Sequence, residues 1–409
     1  MNSILTYIFL FMALYFEIFL LITYFEVKKK IKNTFFDQIS YKKLPTVSII
    51  VPCWNEENTI IKTIFSLLKL DYPKDKLSII IVDDGSTDGT SNVLQRFNRN
   101  KQVSLLKKEN GGKHTAVNLG LSVSTSDLVG CLDADSFVHP QALKRIVNRF
   151  SDPEVMAVTP SMKINNPQNY LELIQKVEYV IGIFIRKTLS HLNALYITPG
   201  PFSIFRREVF SLIGNYKKAH NTEDLEMALR MQKNRMRIDN SHDAYVYTTA
   251  PDTVRKLYKQ RVRWTYGFLK NALDYRKMFF KPEFGHLGVM ILPLASFSIF
   301  SSLYFAGAVL FDSIKSILLK VEEIRTVGLA WYGFNFDLFY VDTRIIVFLT
   351  LAALIGTIAI IFLSRSLAKE RIRPGKEVVY FLALYSLIVP FWMARAVFNV
   401  VFAKSTNWR

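Results

Sequence analysis

Long apolar runs lie near both ends of the chain, whereas the middle combines apolar and polar residues. The apolar runs cover residues 4–25, 287–311, 345–363 and 378–403, and Glu17 is the one charge within the first run. A membrane-spanning helix needs ~20 apolar residues, so each run is long enough to cross a bilayer. The first run is too long for a cleavable signal peptide and lacks a small-residue cleavage site. The pattern therefore predicts a multi-pass membrane protein.

Positive charges beside the apolar runs predict their orientation. The first run ends in EVKKKIK, and the link at 364–377, SRSLAKERIRPGKE, is also basic. Such segments stay in the cytoplasm, so the N-terminus is expected outside and residues 30 to about 280 inside. Four simple spans leave the C-terminus outside, whereas Arg395, Lys404 and Arg409 favour a cytoplasmic end. Because residues 326–343 could form an interfacial or re-entrant segment, the sequence allows four or five spans.

The middle of the chain alternates between short apolar runs and helical patterns. Strands are predicted at 46–52, 77–84, 103–108 and 128–132, with helices at roughly 57–69 and 88–98 and after Gly112. Strands that alternate with helices are typical of an α/β domain with a largely parallel sheet. The fold class predicted for this region is therefore α/β.

Polar residues follow three of these strands directly. They are Asn55-Glu56, Asp83-Asp84-Gly85-Ser86 and Asp133-Ala134-Asp135. Ligands of open α/β sheets bind beyond the carboxyl ends of the strands. Turn formation and helix capping are the alternative explanation for any one group, and Asp88 and Asn58 are expected to be caps. Three such groups together suggest a cluster of repelling carboxylates, which Mg²⁺ or Mn²⁺ shared with a substrate diphosphate would offset.

Two later segments also carry candidate chemistry. The segment HNTEDLEMALRM at 220–231 predicts a helix start, with Asn221 or Thr222 as its cap and Glu223 and Asp224 in its first turn. Glu226 and Arg230 are spaced to form an ion pair on this helix. The alternative is that Glu223 and Asp224 only stabilise the first turn. VRKLYKQRVRWTYGFLK at 254–270 places Gln260, Arg263 and Trp264 on one helical face. Its alternative reading is an amphipathic helix on anionic lipid.

Composition adds two constraints. The chain has 409 residues and a formal net charge of +18, and its two cysteines, Cys53 and Cys131, indicate buried apolar positions rather than a disulfide or a zinc site. A nucleic-acid-binding protein would interleave basic and aromatic residues on one surface, but here much of the charge lies beside apolar runs. A transporter fits poorly with a soluble insert of ~250 residues. Neither nucleic-acid binding nor transport is therefore favoured.

Six motifs in this order and spacing resemble the processive family-2 glycosyltransferases. They are VPCWNEENTI, IIIVDDGSTDGT, GGKHTAVNLG, CLDADS, NTEDLEMALRM and QRVRW. This family includes the synthases of cellulose, chitin, hyaluronan and poly-N-acetylglucosamine. The resemblance covers residues 45 to about 270 and the flanking membrane segments. It implies a GT-A-like, Rossmann-type cytoplasmic domain inserted between one N-terminal transmembrane helix and a C-terminal transmembrane bundle.

The resemblance also implies roles for individual residues. The nucleotide-sugar would be bound by Pro52, Asn55, Glu56, Asp84 or its neighbour Asp83, Lys113, Asp133, Gln260 and Arg263. Asp133 and Asp135 match the DxD motif, which holds the diphosphate through Mg²⁺ or Mn²⁺. Asp224, with Glu223 beside it, matches the general base of the TED motif, and Trp264 of QxxRW would bind the acceptor. The loop TPGPFSIFRR at 198–207 departs from the family pattern and receives no role.

The expected domain order is a transmembrane helix at 1–30, the catalytic domain at 31–250, interfacial helices at 251–285 and membrane spans at 286–409. The implied reaction is inverting transfer from a UDP-sugar, with N-acetylglucosamine favoured, to a growing polysaccharide that is exported through the cell membrane. The alternative is a non-processive enzyme that adds one sugar to a lipid-linked acceptor. The expected partners are the donor, the acceptor and the bilayer, with room for a small membrane accessory subunit and no nucleic acid.

Overall fold

A mixed eight-stranded sheet forms the centre of the molecule. The computed structural model describes residues 4–33, 44–328, 344–371 and 375–402. Its strand order is β3-β2-β1-β4-β7-β6-β8-β5. The strands are β1 Val47–Cys53, β2 Leu77–Asp84, β3 Val103–Lys108, β4 Leu128–Cys131, β5 Ser136–Val138, β6 Val155–Ile164, β7 Ile204–Arg206 and β8 Arg237–Thr248. The predicted α/β class is thus confirmed, as is the position of the four predicted strands.

The helices pack on both faces of this sheet and extend beyond it. They are α1 Ile4–Asn33, α2 Ile60–Leu68, α3 Thr90–Leu94, α4 Lys113–Val123, α5 Ala142–Val147, α6 Tyr170–His191, α7 Glu208–Ile213, α8 Glu223–Lys233, α9 Val254–Asp274, α10 Leu292–Val327, α11 Ile345–Leu367, α12 Lys376–Tyr380 and α13 Ser386–Val401. The predicted helix at 88–98 is shorter, because α3 gives way to a 3₁₀ turn at Gln95–Phe97.

Four adjacent strands, β1 to β4, run parallel in one half of the sheet. β1 pairs in parallel with β2 and β4, and β2 pairs in parallel with β3. The carboxyl ends of β1, β2 and β4 therefore meet at one edge, as predicted. The far half is less parallel than expected, because β7 runs antiparallel to both β4 and β6, and β5 runs antiparallel to β8.

Burial on both faces explains the continuous apolar run of β1. All seven of its residues are buried. Ile49 packs in the core beside Ile60 and Ile64 of α2, while Ile50 faces the opposite side and packs beside Val117 of α4. A strand covered on both faces has no solvent side and needs no alternation of polar residues. This packing fixes the position of the loop that follows β1.

Of the expected capping residues, Asp88 accepts a hydrogen bond at the start of a helix, whereas Asn58 and Thr222 do not. Asp88 Oδ1 accepts a hydrogen bond from the Thr90 amide at 3.0 Å, at the start of α3. Asn58 is not the cap of α2, which begins one residue later than that position allows, after Thr59 and without a side-chain cap. Thr222 holds the N-cap position of α8 but donates instead to the Ala219 carbonyl.

Four helices within the described ranges are long and apolar enough to cross a membrane. They cover Ile4–Lys29, Leu287–Val327, Ile345–Leu367 and Lys376–Val401, in agreement with the four predicted runs. The second is longer than predicted and continues unbroken past residue 311. Of the segment 326–343, residues 329–343 lie outside the described residues, so the choice between four and five spans stays a prediction.

Helix α6 joins the sheet to the C-terminal helices. Val177 packs beside Ile361 of α11 and Val378 of α12, and the Phe184 ring lies 4.8 Å from that of Tyr24 in α1. Phe184 belongs to the same buried cluster as Ala157 of β6. The sheet and the apolar helices are therefore joined through α6.

Candidate active site

A large cavity of about 2920 Å³ opens at the carboxyl ends of β1, β2 and β4. It continues past α6 and α9 to the C-terminal helices, where Tyr385, Val389 and Trp392 form part of its wall. Eleven of the thirteen predicted site residues line it: Pro52, Glu56, Asp84, Lys113, Asp133, Asp135, Glu223, Asp224, Gln260, Arg263 and Trp264. Segments more than 200 residues apart in the chain thus form one site.

Asn55 takes a different position from the one predicted. It is not on the cavity wall, and its backbone adopts a left-handed φ of 57°. Its Oδ1 accepts a hydrogen bond from the Thr87 amide at 2.8 Å, and its own amide donates to Ser86 Oγ at 3.0 Å. Asn55 therefore ties the loop after β1 to the loop after β2, which holds the edge of the site in place.

The two neighbouring aspartates at the end of β2 have different surroundings. Asp84 lines the cavity and accepts hydrogen bonds from Lys108 Nζ at 2.6 Å and from the amides of Gly111 and Gly112 at 3.1 and 2.9 Å. Asp83 points away and accepts from the Ser86 amide and the Ser91 hydroxyl. Of the two, Asp84 borders the space in which a ligand can lie.

Lys113 lies between the carboxylates of two motifs. Its Nζ is 2.5 Å from Asp133 Oδ1 and 3.8 Å from Glu223 Oε1. Burial lowers the pKa of Lys113, but the charges of Asp133 and Glu223 outweigh burial and hold it well above its usual value. Lys113 therefore stays protonated and links the DxD loop to the first turn of α8.

Asp135 is the most perturbed carboxyl of the site. Burial, the charge of Asp133 and then the charge of Glu56 raise its pKa to about 6. Two facing carboxylates that repel in this way provide hard oxygen ligands, which suits Mg²⁺ or Mn²⁺. Within the described ranges, no three His, Cys, Asp or Glu side chains converge to hold a metal alone. Asp133 and Asp135 therefore fit an ion whose remaining ligands are phosphate and water.

The first turn of α8 presents Glu223 and Asp224 to the cavity. The Asp224 backbone carbonyl accepts hydrogen bonds from the amide and hydroxyl of Thr198, at 3.3 and 2.8 Å. Burial raises the pKa of Glu223, although the nearby ammonium of Lys113 opposes the shift. The predicted pair of Glu226 and Arg230 is present at 3.0 Å.

The loop TPGP, which the sequence left without a role, closes one wall. Pro199, Gly200 and Pro201 all border the cavity. A Cβ at position 200 would lie 2.7 Å from Lys113 Nζ and 3.3 Å from the Asp133 carboxylate, so a larger residue here would displace the end of the Lys113 side chain. In the sequence, the feature that indicates this role is the glycine between two prolines.

Three consecutive residues before α8 have a strained backbone. Ala219, His220 and Asn221 have positive φ values of 43°, 55° and 62°. Left-handed backbone costs energy for residues other than glycine and persists only where neighbours enforce it. Arg263 Nη1 donates to the Asn221 carbonyl at 3.1 Å, and Asn271 Nδ2 donates to the Ala219 carbonyl. Helix α9 thus holds the loop that precedes Asp224.

Helix α9 presents Gln260, Arg263 and Trp264 to the cavity on one face, as the spacing predicts. Gln260 Oε1 is buried and accepts no hydrogen bond from the residues that the structure describes, so it is available to a ligand. Sequence reasoning missed Arg261. Its guanidinium lies 4.4 Å from the centre of the Trp264 ring and pairs with Glu178 of α6 at 2.7 Å. This contact orients the indole.

Comparisons with known proteins agree with this architecture. Residues 48–214 match the family model described as glycosyl transferase family 2. The chain is 29% identical over 262 residues to a poly-beta-1,6-N-acetyl-D-glucosamine synthase of Staphylococcus epidermidis, and 30% identical over 261 residues to one of Staphylococcus aureus. Each match covers 63% of this chain and 63% of the relative, which is less than two thirds of the relatives' length.

A solved structure extends the likeness to nearly the whole chain. It is a mannosyltransferase from Pyrobaculum calidifontis in complex with GDP-Man and Mn²⁺, with a TM-score of 0.59 and 20% identity over 98% of this chain and 99% of that one. At this identity the likeness concerns the fold, and it agrees with the predicted GT-A-like arrangement. Residues 48–214 therefore match glycosyl transferase family 2, the fold is GT-A-like, and the chain is similar to poly-beta-1,6-N-acetyl-D-glucosamine synthases.

Proposed function

We propose that the protein is a membrane-embedded inverting glycosyltransferase that extends a polysaccharide from a UDP-sugar, with UDP-N-acetylglucosamine as the donor. The observation that carries the proposal is the shared cavity, in which Asp84, the Asp133–Asp135 pair, Asp224 and Trp264 meet. The choice of sugar rests on the likeness to poly-beta-1,6-N-acetyl-D-glucosamine synthases.

The geometry supports a division of roles along the cavity. The end of the cavity beside Asp84 would bind the base and the ribose hydroxyls of the nucleotide. A divalent cation held by Asp133 and Asp135 would supply positive charge to the diphosphate as it leaves. Arg263 and Lys113 would add fixed positive charge at the same end of the site. These groups would stabilise the charge that develops on the leaving diphosphate.

Asp224 is proposed as the general base. The acceptor hydroxyl would attack C1 of the sugar, the C1–O bond to the diphosphate would break, and the hydroxyl proton would pass to the Asp224 carboxylate. Trp264 would stack on the apolar face of the acceptor ring, which places its hydroxyl near Asp224. One displacement at C1 inverts the anomeric configuration.

The test uses the purified full chain in lipid nanodiscs. Labelled UDP-N-acetylglucosamine, UDP-glucose, UDP-glucuronic acid and GDP-mannose are supplied with Mg²⁺ or Mn²⁺, and the products are sized. Polymer from UDP-N-acetylglucosamine, abolished by EDTA, is the expected result. Products that stop at one added sugar would replace polymerisation with transfer to a carrier. Absence of transfer and of donor hydrolysis with all four nucleotides would contradict the proposed activity.

A further inference from the structure

One buried cation of the cavity has no use in the proposed transfer reaction. Arg186 lies on α6 and lines the cavity. Its Nε and Nη2 are buried and donate no hydrogen bond to any residue in the part of the chain that the structure describes. Burial lowers the pKa of Arg186 to about 10, so the side chain is still charged at neutral pH. A buried charge without a partner is costly, and such groups usually pair with an opposite charge.

The surroundings of Arg186 have the form of a ligand subsite. A Cβ at position 182 would lie 3.1 Å from Arg186 Nη1, so the guanidinium lies over the bare backbone of Gly182. Tyr179, two helical turns before Arg186, lines the same cavity, and its phenol is close enough to influence the pKa of Arg186. The nearby carboxylate of Glu178 is already paired with Arg261 at 2.7 Å. The guanidinium and the phenol thus face the cavity together.

The donor diphosphate already has a cation of its own. Lys113 lies at the donor end, where its Nζ is 2.5 Å from Asp133 Oδ1. Burial raises the pKa of Tyr179 to about 12, and the charge of Asp135 adds to this shift, so the subsite adjoins the donor end. Arg186 therefore remains for a second anion beside the donor diphosphate.

Beyond α6 the cavity wall is largely apolar and aromatic. Ile181 and Phe381 pack against one apolar cluster, and the wall continues along the last membrane helix through Tyr385, Val389 and Trp392 to the polar Arg395 and Asn399. An anion-binding group next to an apolar passage between membrane helices suits a molecule with a charged head and a hydrocarbon tail. A neutral sugar could accept hydrogen bonds from Arg186 but could not neutralise its charge.

The geometry points to a subsite for the phosphate of a lipid-linked acceptor, formed by Arg186 and Tyr179. The guanidinium would bind the phosphate oxygens through charge-assisted hydrogen bonds, and the phenol would donate one more. This inference rests on the proposed glycosyltransferase function and specifies its acceptor. As a polysaccharide grows, its lipid phosphate would leave the subsite, so Arg186 acts when the first sugars are added.

The binding test needs no turnover. A fluorescent long-chain alkyl phosphate is titrated into the full chain in neutral phosphatidylcholine nanodiscs, and anisotropy is read against empty discs. Arg186→Met should raise the dissociation constant about 10-fold or more, the size expected for loss of a charge-assisted hydrogen bond. Arg186→Lys should weaken binding less, because it retains the charge. UDP affinity, measured in parallel, should not change in either variant.

The matched control removes an arginine that lies away from the cavity. Arg237 pairs with Asp152 at 2.7 Å on the surface, and Arg237→Gln should bind the alkyl phosphate like the wild type. Equal binding by wild type and Arg186→Met would overturn the subsite. Competition by phosphatidylglycerol or inorganic phosphate as strong as that by unlabelled alkyl phosphate would overturn the acceptor assignment, because the site would then bind a membrane headgroup or a free anion.

An activity arm separates this subsite from the transferase function. Acceptors with the same sugar on a neutral alkyl chain or on an alkyl phosphate are compared with the donor identified by the nucleotide panel. Arg186→Met should lose about 10-fold in kcat/KM with the phosphate acceptor and keep its rate with the neutral one. Equal losses with both acceptors would contradict the inference. Absence of transfer in the wild type would count against the proposed function, while the binding result would still decide the subsite.

Discussion

At the scale of single residues, Asp135 is expected to act through the metal. Asp135→Asn removes one carboxylate of the Asp133–Asp135 pair, and in the wild type burial and then the charge of Asp133 raise the Asp135 pKa to about 6. Loss of a ligand should weaken UDP binding in Mg²⁺ but hardly in EDTA. Calorimetric titration with UDP in both buffers measures the difference. A UDP affinity that depends on Mg²⁺ as strongly in the variant as in the wild type would remove Asp135 from the metal site.

Asp224 is expected to act on the proton rather than on the donor. Its backbone is fixed to Thr198, so Asp224→Asn should leave the fold of this turn intact. Loss of a positioned base typically slows a reaction by ~10²-fold or more, and donor binding should persist. Turnover and the donor dissociation constant are measured on the same preparation. A large rise in the dissociation constant with unchanged turnover would reassign Asp224 to binding.

Lys113 should control the pH dependence of the reaction. It opposes the rise in the Glu223 pKa that burial causes, so Lys113→Met should raise that pKa further. Glu223 stands with Asp224 in the motif that the resemblance assigns to the general base, so its ionised form is expected to be needed for turnover. That form would be reached only at higher pH, and the acid limb of the kcat/KM profile should move to higher pH. Lys217→Met removes another cavity lysine from outside this ion-pair cluster and serves as the control. An acid limb that stays in place in Lys113→Met would exclude this coupling.

At the scale of elements, α9 is expected to supply the surface that the acceptor contacts. Trp264 borders the cavity, and its ring lies under the Arg261 guanidinium. As an acceptor platform, Trp264→Ala should abolish polymer while UDP binding persists, and Trp264→Phe should keep part of the synthesis. The alternative role is an anchor among lipid headgroups, for which the alanine variant should give lower membrane yield but normal polymer. Product sizing and yield, measured together, decide between them.

The packing of α9 against its neighbours also explains why its residues act together. A Cβ at Gly267 would lie 2.3 Å from Thr222, so the helix approaches the start of α8 more closely than other residues permit. Arg263 and Asn271 bond to the strained loop that precedes α8. Any movement of α9 would therefore carry the loop before Asp224 with it, so that Asp224 and Trp264 move together.

At the scale of the whole molecule, the membrane orientation can be tested by labelling. The helix at Leu287–Val327 has 41 residues. At 1.5 Å per residue it is ~60 Å long, about twice the hydrocarbon thickness, so its charged end should project from the membrane. If the catalytic domain is inside, Glu322→Cys should react with an impermeant maleimide from outside, and Lys101→Cys only after lysis. The native Cys53 and Cys131 are buried and give little background. The reverse labelling pattern would contradict the predicted orientation.

The sequence by itself determined the elements and the general place of the site. Apolar runs predicted the four helices that are long enough to cross a membrane, and continuous apolar strands such as β1 predicted a sheet buried on both faces. Because parallel strands carry ligands at their carboxyl ends, the sequence alone assigns Asp84, Asp133 and Asp135 to one edge of the sheet. These features depend on local periodicity and on chain direction, and a single sequence records both. The predicted domain boundaries, by contrast, stay predictions.

Only the tertiary structure decided which side chains face the ligand and which face each other. Asp83 and Asp84 are adjacent in the chain, yet alternation along β2 sends one away from the cavity and the other into it. The contact of Lys113 with Glu223 joins positions 110 residues apart, and the free guanidinium of Arg186 emerges only when α6 is packed against the sheet and the membrane helices. Such relations depend on how distant elements pack, because packing, unlike periodicity, leaves no regular pattern along the chain.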